Sequence, residues 1–467
     1  MRCALRTLLL CSVGVAVLSA AARAASDPIL VDLNVGESQQ IQLPGLQRHV
    51  LRLVSYKEST VPYFSSALHK IVPAIVSATT KLTLDGKPFQ LAGGPYRMPT
   101  RVGDLNLLLI LTKPWAGGLI PDRLLKDVRL EVQRASLPWV DIGKLHFPIR
   151  NYRWRASNYQ HTYLGIVAGD ARVYYHRGED LGMIPDIEQA LAIADGVIIR
   201  VPGLAGDGAS NGVFFDNGPL SFMYDHMNAP HIRTDLRAGM HIKAGEVLGL
   251  TGNTWDGHPV SNPHLHISVR DERRWVFYDS FPFVVAAYRE TYANEVLPVA
   301  GSPYYCYAGD LVKLDGKLSL PPRGSKLVRY QWKFTDGTSA GGPVVRRRYP
   351  KLGTYSEQLM VTDASGHSDS DFAEVYVLSK DQPGKAPYIG IRYYPVRPIH
   401  INEPVQFRVH YSRVKIPSVD FGDGTHVSWS KRLEHAYSKP GTYVVTVHGA
   451  DSGAGPGIVK VRVVVEK

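Results

Sequence analysis

Two stretches near the end of the chain repeat one another, and this limits the fold more than any other feature. YQWKFTDGT at 330–338 returns as VDFGDGT at 419–425, and YPKLGTYSEQLMVTDASG at 349–366 returns as YSKPGTYVVTVHGADSG at 437–453. The matching aspartates, Asp336 and Asp423, lie 87 positions apart (423 − 336). That period is the size of a small β-sandwich, so a tandem pair of sandwiches is expected. Asp336 and Asp423 are expected to cap tight Asp-Gly turns, and Tyr355 and Tyr443 to fill cores. LSKDQPGKAPY, rich in Pro, Gly and Lys, reads as the connector between the copies.

The remaining chain must supply further domains, because 467 residues exceed what one core organises. With 43 glycines and 32 prolines, the composition suits a turn-rich, β-heavy protein. Residues 25–147 alternate apolar and polar, as in KLTLDGKPFQLAGG and DLNLLLILTK, which implies a β-rich N-terminal domain of unknown role. Residues 148–295 form a second unit, and the two copies occupy 296–381 and 382–467. The expected class is mainly β throughout: a β-rich domain, an antiparallel-sheet domain and two immunoglobulin-like sandwiches.

The opening MRCALRTLLLCSVGVAVLSAAARAASDP reads as a secretory signal spanning 1–24. Arg2 and Arg6 precede an apolar core from Leu8 to Leu18, and Ala22-Arg23-Ala24 offers a small-x-small cleavage site. That core is shorter than the roughly 20 residues a membrane span needs. No later stretch is long and apolar enough either, so a secreted or extracytoplasmic protein without a transmembrane segment is expected. Cys11 follows Leu10 rather than a small residue, which argues against a lipid anchor. Cys3 and Cys11 fall in the leader, leaving Cys306 with no partner for an internal disulfide. Removing Arg2, Arg6 and Arg23 takes the net charge from +11 to +8. A basic exported chain is attracted to anionic polymers such as bacterial wall material. No aromatic-basic nucleic-acid motif appears, so nucleic acid is not an expected partner.

Within 148–295, short strands between glycine turns imply an antiparallel sheet, and HIKAGEVLGL reads as a hairpin turned at Ala244-Gly245. The same stretch is dense in histidine. In NPHLHISV, 262–269, His264 and His266 share one face of a strand while Leu265 and Ile267 take the other. Such a pair suits a metal or proton-transfer site, although HxH alone is equally a pair of ordinary strand histidines. HRGED sets His176 and Asp180 four apart, with Gly178 allowing a bend between them. Imidazole and carboxylate are suitable ligands for Zn²⁺. A third ligand from HLH leaves one tetrahedral position open, which is the catalytic pattern. Closed structural zinc sites use four ligands, usually rich in cysteine.

These residues carry a family resemblance. HRGED matches the H-x-G-x-D motif of lysostaphin-type (LytM-like) zinc endopeptidases, YDHM their Y-x-H-L, and PHLH their closing HxH. DGVI and AGEVLGLTGNT also fall where that family has DGxV and xGxxIGxxGxTG. The resemblance covers about 120 residues in the right order. It implies that His176, Asp180 and His266 bind Zn²⁺ and that His226 and His264 are catalytic. In those roles His264 would move the proton of the attacking water, and His226 would donate to the oxyanion. Tyr224 either orients substrate or packs. His161, His231 and His241 fall outside the motifs and read as surface or packing histidines. The FxDGT turns and the Y-x-x-x-G-x-Y pairs of the repeats resemble PKD (polycystic kidney disease) domains, extracellular modules that bind polysaccharide or protein.

The sequence departs from the peptidase family in one loop. Ten residues, NTWDGHPVSN, lie between Gly252 and Pro263 where the family has about four, bringing Trp255 and His258 near the metal. They would shape substrate choice, or His258 would add a fourth ligand and silence the site. The leading expectation is a secreted zinc endopeptidase acting on peptide bonds of peptidoglycan cross-links. The alternatives are an extracellular proteinase and an inactive wall-binding or regulatory protein on the same scaffold.

Overall fold

The computed structural model describes residues 28–116, 124–159, 161–167, 173–202, 211–255, 258–260, 262–271, 275–292, 294–301, 303–430 and 432–467. The leader expected at 1–24 lies outside them. About 53% of the chain is strand and 4% helix, so the mainly β class read from the sequence is the class that forms.

The N-terminal part builds two four-stranded antiparallel sheets. One runs Ile29–Leu33, Val128–Arg134, Leu105–Thr112, Thr100–Val102 in space, and the other Ser38–Ile41, His49–Ser65, Lys70–Leu84, Lys87–Gly93. Period-2 alternation decides which side faces the core: Leu51 and Leu53 are buried while Val50, Arg52 and Val54, which alternate with them, are exposed. The long hairpin of His49–Ser65 and Lys70–Leu84 leans on the rest of the molecule. Tyr63 meets Tyr305 edge-on at 5.6 Å, and the Ile75 amide donates to the Tyr175 hydroxyl at 2.7 Å.

The middle of the chain forms an antiparallel sheet in the order Glu179–Gly182, His264–Asp271, Leu220–Asp225, Val213–Asn217, Gly196–Arg200, His241–Ile242. Val276–Tyr278 pairs the far end of His264–Asp271. Leu265, Ile267 and Val269 point into the core from the central strand and are fully buried. On that side lies the helix Phe281–Thr291, with Phe283 against Phe222 at 6.1 Å and Tyr288 against Phe147 at 5.2 Å. The opposite face of the sheet carries His264 and His266 and is left open as a groove. The turn at Gly245 forms, with the Glu246 amide donating to Lys243 O at 2.9 Å. Its flanks do not pair with each other, contrary to the hairpin expected there. His241–Ile242 joins Gly196–Arg200, and Val247–Leu250 joins Gln189–Leu191. Burial of Ile242 and Leu248 in separate sheets outweighs their closeness in sequence.

Both repeats are β-structured. Asp336 Oδ1 accepts from the Thr338 amide and Asp423 Oδ1 from the Thr425 amide, each at 3.0 Å, so the two aspartates do cap their turns. The core tyrosines are not the expected ones. Tyr349 and Tyr437, six positions earlier, are buried, while Tyr355 packs tilted against the first and Tyr443 stacks on the second at the margin. The latter pair donate their hydroxyls to Lys351 O and Lys439 O, at 3.0 and 2.8 Å. A polar tip needs a partner at the edge, and these carbonyls provide one. The copies are also joined along an edge: the Thr354 amide donates to Pro456 O at 2.9 Å, making one nine-stranded sheet across both. Gly455 is required there, because a Cβ would lie 2.1 Å from Leu352 O. The second sandwich shares an apolar core with the middle sheet.

Two buried carboxyls meet where the first N-terminal sheet abuts the middle unit, the Asp279 amide donating to Glu131 Oε1 at 3.1 Å. Burial pushes Asp279 up to about 7 and raises Glu131 well above the usual carboxylate range, with help from Asp279. Folding therefore favours the neutral acids. Their contribution is complete below about pH 4, the unfolded value, and is lost as pH rises through about 7. Melting temperatures across pH 4 to 8 should decline less steeply for Asp279→Asn than for the parent chain. Equal slopes would contradict this origin.

Candidate metal centre

Strand register builds the centre. Asp180 is the direct cross-strand partner of His266, and Asp225 is its partner on the other side. Directly opposite residues on one face have Cβ atoms about 5 Å apart, so Asp180 and His266 must meet. Glu179, one residue earlier, points the other way and is held by Thr162 and Ser280. His176 comes from the turn before this strand. Its Nε2 lies 2.9 Å from Asp180 Oδ1 and 2.9 Å from His266 Nδ1, and His266 Nδ1 lies 2.8 Å from the same oxygen. One proton cannot satisfy two imidazole nitrogens and a carboxylate oxygen that close together, whereas a divalent cation among them can. The donor set of two nitrogens and one oxygen, mutually within 4.8 Å, fits Zn²⁺.

Burial alone would raise the Asp180 carboxyl, but the imidazoles of His176 and His264 hold it well below the usual range. It is therefore an anion at neutral pH, as a ligand must be. Gly178 lies at the bend expected of it, and the space there is tight. A Cβ there would lie 2.5 Å from Ile267 O and 2.7 Å from the His266 ring, so only glycine lets this turn pass over His266.

His264 stands beside the cluster with Nε2 3.2 Å from Asp180 Oδ1. Its Nδ1 lies 2.5 Å from Asn262 O, and since a carbonyl only accepts, Nδ1 carries the proton. Nε2 faces the Asp180 carboxylate, which also only accepts, so Nε2 is left as a proton acceptor when a cation in the cluster engages that oxygen. His226 follows the strand Leu220–Asp225 in a left-handed conformation, φ +66°, which breaks the alternation. For that reason Tyr224 does not share its face. Tyr224 is buried, its hydroxyl accepting from the Ile193 amide at 2.9 Å and donating to Leu191 O at 2.8 Å, so it packs. The His226 ring lies 4.4 Å from that of His264, and burial together with His264 and His266 lowers its pKa to about 3. Its Nδ1 makes one long contact, 3.3 Å, to Thr254 O.

The centre floors a groove of about 630 Å³. Trp255 borders it, half exposed, with its ring 5.3 Å from that of His226. His258 pairs across from Trp255 in a short hairpin, is exposed, and stands outside the ligand cluster. His231 and His241 are exposed, as expected. His161 packs, its ring 4.7 Å from that of Tyr159 and 6.3 Å from that of His176, while its main-chain carbonyl accepts from the Asp180 amide at 2.8 Å. Burial lowers its pKa to about 4.

Residues 174–277 match peptidase family M23, and residues 294–377 and 390–455 each match a PKD domain. The catalytic domain of the antimicrobial peptidase lysostaphin from Staphylococcus simulans is 23% identical, covering 29% of this chain and 93% of its own, at a TM-score of 0.22. Whole lysostaphin is 17% identical over 50% of this chain and 92% of its own, also at 0.22. Csd3 from Helicobacter pylori is 16% identical over 48% and 74%, again at 0.22.

Replacing Gly178 tests the packing argument. Gly178→Ala should leave the fold intact by circular dichroism yet weaken Zn²⁺ binding at least tenfold in a competition titration, because His266 must shift. Unchanged affinity would contradict the close approach.

Proposed function

We propose that this chain, in which an M23 peptidase domain precedes two PKD domains, is an exported zinc endopeptidase that hydrolyses peptide bonds of peptidoglycan cross-links. The observation carrying this reading is the convergence of His176, Asp180 and His266 on one point of an open groove, with two further imidazoles at its side. A bound Zn²⁺ supplies Lewis acidity and brings the pKa of water to about 7. His264, with its lone pair on Nε2, accepts the proton of the attacking water and passes it to the leaving amine. His226 serves the oxyanion. Giving up its weak 3.3 Å contact to Thr254 lets the ring carry its proton on Nε2, the tautomer that donates.

One residue favours an acidic peptide over proteins in general. Arg177 borders the groove beside His176, with its guanidinium 5.3 Å over the Phe277 ring. Its Nε and Nη2 are buried and have no hydrogen-bond partner among the described residues. A guanidinium fork bordering a groove fits a carboxylate. Peptidoglycan stems carry free carboxyl groups. The PKD domains, in this reading, hold the enzyme on wall polysaccharide or protein.

Digestion of purified peptidoglycan, with mass analysis of the fragments, tests the proposal. Peptide-bond cleavage is expected, with His264→Ala retaining zinc while losing roughly 10²–10⁴-fold in rate. His266→Ala should lose both. Arg177→Met should raise KM on free-acid stem peptides and leave amidated ones unchanged. Release of peptides from casein with no attack on peptidoglycan would overturn the substrate assignment, and full zinc in His266→Ala would overturn the ligand assignment.

A further inference from the structure

The turn that delivers His264 to the groove is gripped from outside the peptidase domain. Arg392 and Tyr388 lie on the strand Tyr388–Tyr394 of the second sandwich. Arg392 Nε donates to Pro263 O at 2.8 Å, and the Tyr388 hydroxyl donates to Asn262 Oδ1 at 2.8 Å. The same strand is stitched to residues 157 and 158, the Ser157 hydroxyl donating to Ile391 O at 3.2 Å and the Ile391 amide to Asn158 Oδ1 at 2.7 Å. Arg392 is 3% exposed, and among the described residues no carboxylate pairs with it. Its charge is met by carbonyls and by the Tyr159 ring, 5.5 Å away, which lies 5.0 Å from the His264 ring.

A buried guanidinium without a counter-ion is costly to keep, so what it holds merits attention. Asn262 O is the atom that accepts from His264 Nδ1. Fixing the Asn262–Pro263 segment therefore fixes both the tilt of the His264 ring and its tautomer, in the way outer partners orient a working histidine. The same grip occupies Asn262 Oδ1 with a donor. That turns the amide so that its N–H groups are left for the groove, which Asn262 borders.

We propose that Arg392 and Tyr388 are positioning residues of the catalytic site, so that the second sandwich is part of the peptidase and not only an attached binding module. The proposal rests on the reading of His264 as the proton acceptor. It makes the second sandwich a requirement for turnover even though every ligand lies within residues 176–266.

The test uses the full chain with Arg392→Met, Arg392→Lys and the milder Tyr388→Phe. Arg462→Met serves as the control for a generally weakened sandwich. Arg462 is 1% exposed on the same module and donates to Trp154 O at 2.9 Å, and it takes no part in the turn. Zinc content, melting temperature, kcat and KM on purified peptidoglycan are measured on each. Arg392→Met is expected to keep one zinc and lose at least tenfold in kcat, with partial rescue in Arg392→Lys and a severalfold loss in Tyr388→Phe. Arg462→Met is expected to melt lower with kcat per folded molecule unchanged. A kcat loss in Arg392→Met no larger than in Arg462→Met would overturn the proposal. A second readout needs no substrate and separates this proposal from the peptidase reading: nitrogen-15 resonances of the His264 ring. The parent chain should show protonated Nδ1 and Arg392→Met a mixture of tautomers. The same tautomer in both would overturn the positioning role even if the wall is cleaved.

Discussion

The centre depends on a single strand register. Asp180 sits opposite His266 because Glu179 pairs with Ile267 and Leu181 with Leu265, and those apolar partners are buried on the far face. A slip of one residue would turn Leu265 and Ile267 into the groove and both histidines into the core. The hydrophobic face thus enforces the polar one. Burial of three apolar side chains on one strand specifies where His266 and Asp180, the two proposed ligands, meet, and His176 needs only a short turn over Gly178 to join them.

Around that register the molecule is arranged as walls. The helix Phe281–Thr291 closes the back of the sheet, and Trp255 stands at the front beside His226. The N-terminal hairpin braces one side through Tyr63 and Ile75, and the second sandwich braces another through Arg392 and Tyr388. Sharing of one apolar core between sheet and second sandwich gives this last contact rigidity that a flexible connector would lack. Tandem modules that look separable in sequence are, in three dimensions, part of one framework.

Much of the centre was legible in the sequence because period-2 spacing is local information. HLH on a strand puts its two histidines on one face, and HRGED puts an imidazole and a carboxylate within one turn. What escaped the sequence came from long range. Asn262 as a held side chain and Arg392 acquire their meaning from contacts with segments far along the chain. The spacing argument also failed locally where backbone geometry broke the pattern. Tyr224 faces the core opposite Ile267, and the positive φ at His226 turns that ring to the groove instead. Gly178 does stand at the expected bend, and long-range packing adds a constraint that spacing does not carry, a ring 2.7 Å from its missing Cβ. In the repeats, the motif identified the right turns but assigned burial to Tyr355 and Tyr443 when the earlier tyrosines of the same motif hold the core.

The central claim is that three side chains, and not the neighbouring pair of histidines, hold one metal ion. Anomalous diffraction at the zinc edge from crystals of the purified chain tests it directly. The account predicts one zinc peak, bounded by His176 Nε2, the Asp180 carboxylate and His266 Nδ1, with His264 and His226 outside bonding distance. A peak coordinated by His264 in place of His266, or no peak in the groove of protein that retains stoichiometric zinc, would contradict it.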